Sequence, residues 1–338
     1  MTKPDFTNLT NLAATRLGSE VVYATDDFFA DKARLLKPEP PVFIEEKYDD
    51  HGKWMDGWES RRKRVEGHDY AVIKLGRSGR ISGFEVDTSH FTGNFPPFCS
   101  LEVANSDVEI PDDNDWKEVV AKSALKGDSQ HYYEMKSAEI WTHVRLHIYP
   151  DGGVARLRVY GQIHMDWSKV GRNETIDLAA LSMGGRGLYA NDTHFGVPEN
   201  LIAPGKGVNM GDGWETRRRL ERATDPLYWT QACDFAILAL AHLGEAERVI
   251  IDTAYFKGNY PDRASIQAAR IDEGQSDNDI VASSENWPVL LAPQKLEMDC
   301  EHVFEEELNQ HEPITHIRLN IYPDGGVSRL RLFGKIKY

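Results

Sequence analysis

Residues 143–158 read HVRLHIYPDGGVARLR, and residues 316–331 read HIRLNIYPDGGVSRLR. Thirteen of these 16 positions are identical, so the chain carries an internal duplication. Within the stretch, Val144, Leu146 and Ile148 alternate with His143, Arg145 and His147, the period of a strand. Pro150-Asp151-Gly152-Gly153 has turn chemistry, and Ala155, Leu157 and Val159 then alternate with Arg156, Arg158 and Tyr160. The pattern predicts a hairpin with an apolar face on the core. Its other face would crowd together His143, Arg145, His147, Arg156 and Arg158, matched by His316, Arg318, Asn320, Arg329 and Arg331. Such a face needs anions beside it, either protein carboxylates or a ligand.

Earlier blocks match in the same order. DGWESRR at 56–62 returns as DGWETRR at 212–218, and DTSHFTGN at 87–94 returns as DTAYFKGN at 252–259. The separation grows along the chain: 156 residues from Asp56 to Asp212, 165 from Asp87 to Asp252, 173 from His143 to His316. Insertions therefore fall between the blocks, where loops belong. The first copy is expected over residues 13–163 and the second over 178–338, with a polar linker at 164–177. Residues 107–115 and 272–285 read as exposed excursions at similar places in the two copies. Residues 69–75 and 81–88 read as two strands with a Gly-rich turn between them, and 234–242 is open to strand or helix. Many short strands punctuated by Gly and Pro predict an all-β fold of two tandem jelly-roll sandwiches.

With 338 residues, 41% of them hydrophobic and 28% charged, the chain has a soluble globular composition and room for two cores. Charges interrupt every apolar run before it could span a bilayer, and the first ten residues lack the apolar region of a secretory signal. Three cysteines, none in a CxxC pair, fit a reducing cytoplasm better than a disulfide framework. A net charge of −15 opposes nucleic acid and anionic membranes as partners. It also means that an anionic small substrate would need local arginines.

The motifs supply candidates for chemistry. Asp56 and Glu59, with Asp212 and Glu215 in the second copy, are candidate acid and base, because two carboxylates can divide those roles. His90 is a further catalytic candidate in copy one only, since Tyr255 stands at its place in copy two. Arg61, Arg62, Arg156 and Arg158, with Arg217, Arg218, Arg329 and Arg331, are candidates for a bidentate clamp on a carboxylate. Asn94 and Asn259 could orient a polar substrate. Each motif also has a purely structural alternative. DGWE could be a capped turn with internal ion pairs and a core tryptophan, PDGG a tight turn, the asparagines loop caps, and the arginines a solvated face or an interdomain zipper. No HExxH, cysteine pair, GxGxxG, phosphate loop or GxSxG elbow occurs, and His143 and His147 are too far apart along a strand to chelate one ion easily. No cofactor is demanded; a divalent metal could assist by polarising a carbonyl or water.

The ordered set DGWE[ST]RR, DTxxFxGNxP and YPDGGxxRLR, present twice between about residue 18 and residue 334, resembles the allantoicase family. That resemblance implies a pair of galactose-binding-like jelly rolls and a hydrolase acting on linear amidines. It would convert allantoate to ureidoglycolate and urea in purine nitrogen recovery, with or without assembly into a homo-oligomer. Tyr255 opposite His90, and Asp262-Arg263 opposite Pro97-Phe98, leave open whether both copies are catalytic. The rival class is a non-catalytic tandem β-sandwich that binds a small molecule or carbohydrate. A sugar site would present exposed aromatic platforms and few charges, whereas these motifs are rich in Asp, Glu and Arg.

Overall fold

The computed structural model of the chain describes residues 3–219 and 233–338. The chain divides into two compact units, Met1–His164 and Met165–Tyr338. Each unit reaches further towards its N-terminus than residues 13 and 178. Thr10–Asn11 pairs with Arg156–Ile163 in the first, and Ile176–Asp177 pairs with Arg329–Ile336 in the second.

The organising element of the first unit is one long strand, Asp69–Asp87. Its first half pairs with Trp141–Tyr149 and Glu20–Ala24, and its second half with Arg156–Ile163 and Gln130–Glu134. Phe98–Ala104 and then Lys117–Ala124 extend the sheet beyond Trp141–Tyr149. The strand thus passes from one sheet of a sandwich into the other. Sequence reading placed a turn at its middle, and the structure has continuous strand there instead, with a shift of register between the Trp141–Gly79 and His143–Lys74 pairs. Gly76 lets the strand lie against the backbone of Leu17, whose carbonyl would be 2.1 Å from any Cβ there. Between the sheets, Val144, Leu146 and Ile148 from one side and Phe84, Val86, Leu157 and Val159 from the other are fully buried in one cluster. Each such side chain contributes roughly 1.5–3 kcal/mol of burial.

The expected hairpin at 143–158 is not formed. Trp141–Tyr149 and Arg156–Ile163 never pair with each other; they lie in the two different sheets. The segment between them crosses the end of the sandwich. Its backbone is claimed elsewhere: Gly153 N–H donates to Asn94 O at 2.7 Å, Ser60 N–H donates to Gly152 O at 3.1 Å, and Gly153–Val154 pairs with Trp58–Glu59. The predicted crowd of cations is accordingly split between the sheets. Arg145 and His147 meet Glu102 at 2.6 and 2.7 Å on one, while Arg156 and Arg158 lie on the other.

The second unit repeats this plan strand for strand, with Asp234–Asp252 as its long strand. Residues 234–242 are therefore strand. The excursion at 272–285 is not wholly exposed. It contains the short helix Asp277–Ser283, capped by the Ser276 hydroxyl, with Ile280 buried beside Trp287. The excursion at 107–115 holds only a single turn, Asp113–Asp115. All three cysteines are free. Among the described residues no helix is long and apolar enough to cross a membrane.

Candidate active site

The three repeated motifs meet at one end of each sandwich. In the first unit the DGWE strand Trp58–Glu59, the loop around Asn94 and the crossover 150–153 are tied by the backbone bonds given above. Phe91 packs onto Gly153 so closely that a Cβ there would lie 1.9 Å from its ring. Gly326 and Phe256 repeat this in the second unit, at 2.0 Å. Trp58 is fully buried and its indole N–H donates to Asp26 O at 2.8 Å. These contacts aim the Glu59 side chain at Asn94, whose amide donates to Glu59 Oε1 at 2.8 Å. Asn259 donates to Glu215 in the same way.

Around the Glu59–Asn94 pair lies a cavity of about 520 Å3, walled by Phe29, Ser60, Arg62, Lys63, Phe95, Asp151 and the backbone of Gly152 among others. An adjoining cavity of about 530 Å3 shares Phe29, Arg62 and Lys63 and adds Asp26, Arg61, Arg64 and Asp69. Burial pushes the Glu59 carboxyl above its ordinary range; the Asn94 bond opposes this and the charge of Asp49 adds to it. A carboxyl pushed upward keeps its proton to higher pH than an ordinary one, which suits it to proton donation. Arg62 is exposed and makes no ion pair or hydrogen bond among the described residues, so its guanidinium can take an anion. Lys63 is spoken for: its amine pairs with Asp69, and its backbone N–H donates to Asp151 Oδ2 at 2.7 Å.

The other candidates are engaged by groups of the protein. Arg156 is buried and meets Asp56 Oδ2 at 2.6 Å; its remaining donors reach the carbonyls of Asp56, Ala155, Arg34 and Glu39. Lys37 reaches the other oxygen of Asp56 at 2.7 Å. Burial would raise the Asp56 carboxyl, but these two cations outweigh it and hold it below the usual range. Asp56 is therefore an ionised anchor rather than a proton donor. Arg158 donates to Pro38 O at 3.1 Å. Together Arg156 and Arg158 fasten the segment leading into DGWE. In the second unit Arg329 meets Asp212 at 2.5 Å, and Arg331 donates to Ala203 O and Gly205 O at 2.6 Å. Arg61 is pinned to Asp26 and Arg217 to Asp192, both at 2.7 Å from Nε. Arg218 donates to Gly258 O at 2.6 Å. His90 does not line the cavity; its ring meets Pro41 O at 3.2 Å and stacks on Phe43.

Sequence reading treated Asp151 only as a turn residue and passed over Phe29, Ser60 and Lys63. The Lys63–Asp69 pair had a signal, because Arg219 and Asp234 form the same pair in the second copy. A second polar cluster was also missed. His68 Nε2 lies 2.8 Å from His147 Nδ1, and His147 Nε2 lies 2.7 Å from Glu102. Asn320 and Gln267 hold the places of His147 and Glu102 in copy two, joined at 3.0 Å. Among the described residues no three His, Cys, Asp or Glu side chains converge as a metal site would require.

Comparisons with known proteins bear on this geometry. The family model described as allantoicase repeat matches residues 10–164 and 176–337. A probable allantoicase 1 of Burkholderia mallei is 54% identical over 335 residues, covering 98% of this chain and 96% of that protein. A probable allantoicase of Pseudomonas fluorescens is 54% identical over 332 residues, covering 98% and 97%. The crystal structure of allantoicase from Saccharomyces cerevisiae is 33% identical, superposes with a TM-score of 0.78, and is matched over 96% of this chain and 92% of that one.

Proposed function

This chain belongs to the allantoicase family and hydrolyses allantoate to ureidoglycolate and urea; we propose that the reaction takes place in the cavity walled by Glu59, Arg62 and Asn94, with Glu59 as the proton donor. The observation that carries the proposal is the half-buried Glu59 carboxyl, pushed above its ordinary range and set beside an amide and an uncommitted arginine.

Allantoate is a carboxylate whose α-carbon bears two ureido groups. Arg62 binds the carboxylate, against the −15 field of the whole chain. Asn94 spends its N–H on Glu59 and leaves its carbonyl oxygen to accept a ureido N–H. Glu59 protonates the nitrogen of the departing arm as the lone pair of the remaining ureido nitrogen expels it. Urea leaves, and an acyl-iminium that keeps its N–H proton remains at the α-carbon. The Glu59 carboxylate then takes a proton from the water that adds to that carbon. Ureidoglycolate forms and the Glu59 carboxyl is restored, so one group serves both steps.

The reading is tested by urea release from allantoate with Glu59→Gln and Arg62→Ala. Loss of turnover in the first and a raised KM in the second, with unchanged melting temperature, support it. Wild-type kinetics for a folded Glu59→Gln protein would sink it.

A further inference from the structure

The two repeats differ in length at two places beside the cavity: Arg219 to Asp234 is nine residues longer than Lys63 to Asp69, and the other difference lies before DGWE. Asp26 and Asp192 are equivalent, since each accepts the buried tryptophan N–H and the first DGWE arginine. Three residues on, Phe29 and Phe195 begin segments ending at Asp56 and Asp212, and the first segment is ten residues longer. The longer one carries a small hairpin in which Tyr48–Asp49 pairs with Gly52–Lys53. At its tip His51 stacks on Phe28, with centroids 4.3 Å apart, and Phe28 meets Phe29 edge-on at 5.4 Å. Phe29 is a wall of both cavities. At its base Lys53 lies over Phe43 and Tyr48 at 4.8 and 4.9 Å, and Phe43 stacks on His90. The shorter segment of the second repeat has no such hairpin; there Met210 Sδ sits 3.8 Å from the Asn259 amide.

We infer that the hairpin Tyr48–Lys53 is the wall that covers bound allantoate in the first repeat, with Asp49 and His51 as its specificity-determining residues, and that the first repeat is the copy that turns substrate over. The inference rests on the Glu59 cavity being the active site. Allantoate has two ureido arms, and Glu59 with Asn94 engages the one that leaves. The second arm offers N–H donors and a carbonyl acceptor. Asp49 accepts the former and the His51 imidazole donates to the latter. The Phe28–Phe29 step seats the hairpin and limits the access of bulk water to the site. Asp49 has a second effect. Among the groups facing Glu59 (Asn94, Arg62, Lys63 and Asp151 within the cavity, Asp49 from the hairpin), it adds the charge that favours the acid form. The His90 position matters here too, as support for Phe43 under the hairpin rather than as a proton carrier.

The experiment compares four full-length variants by urea release and thermal melting: Asp49→Asn, Asp49→Ala with His51→Ala, Glu59→Gln and Glu215→Gln. Both hairpin side chains are exposed, and glutamine keeps the shape of Glu59 and Glu215 and can still bond Asn94 and Asn259, so all four variants are expected to melt as wild type does. The double variant should raise KM about tenfold, the loss of one or two ordinary hydrogen bonds. Asp49→Asn should move the alkaline limb of the kcat profile to lower pH. Glu59→Gln should abolish turnover while Glu215→Gln keeps it. An active Glu59→Gln overturns the active-site reading and this inference with it. An inactive Glu59→Gln beside wild-type KM and pH profile in the hairpin variants overturns the hairpin's role alone. A folded but inactive Glu215→Gln overturns the restriction to the first repeat.

Discussion

Arg156 and Asp56 form a buried ion pair, Nη2 to Oδ2 at 2.6 Å, with side chains 1% and 4% exposed. Arg329 and Asp212 form its equivalent in the other repeat. The pair joins the RLR strand to the start of DGWE, three residues before Glu59. Residues that look like a substrate clamp thus spend their donors on groups of the protein itself.

Arg156→Ala would leave Asp56 buried with only Lys37 and the Val42 N–H as partners. Breaking a buried pair from one side costs about 3–5 kcal/mol. The variant should show that loss in its denaturation midpoint, with activity per folded molecule retained. Stability within about 1 kcal/mol of wild type together with lost turnover would instead return Arg156 to substrate binding.

Glu59→Gln should lower kcat by about 100-fold or more, the usual worth of a positioned proton donor. Its melting temperature should stay near wild type, because glutamine keeps the shape and can still bond Asn94. Urea release at saturating allantoate and a thermal melt decide this together.

Asn94→Ala should act through the Glu59 proton. The Asn94 bond lowers the Glu59 carboxyl against the upward push of burial. Without it the folded pKa rises further. A proton donor is lost as pH climbs through its pKa, so the alkaline limb of kcat should move to higher pH, opposite to the shift expected for Asp49→Asn. A limb that stays fixed in both variants would mean that another group gives the proton.

Acid stability should depend on the paired histidines His143 and His316. Burial, aided by Arg186, pushes His316 down from 6.5 to about 4, and burial also lowers His143. Between about pH 6.5 and 4 the unfolded chain therefore binds more protons than the fold. Stability present above 6.5 is lost as pH falls through that window, by on the order of 2–3 kcal/mol for His316. Denaturation midpoints of His316→Gln, measured at pH 7.5 and 5, should lie closer together than those of wild type. An undiminished acid loss would place its origin elsewhere.

The sequence by itself determined the duplication, the strand character of the motifs and the family resemblance. Repetition, a period of two and an ordered set of rare motifs are properties of the chain taken one residue after another. Glu59 and Asn94 could be named from that alone, though not their contact, because 35 residues separate them. Tertiary structure decided which charges are free. Arg62 and Arg156 look alike in sequence, yet one faces a cavity and the other is enclosed by four carbonyls and a carboxylate. It also turned the PDGG hairpin into a crossover. A local turn signal states that the chain can reverse, and whether the returning strand pairs with its neighbour depends on which distant backbone groups compete for the same hydrogen bonds. Here Asn94 O and Ser60 N–H hold the turn, and Glu59 pairs with Gly153 beyond it.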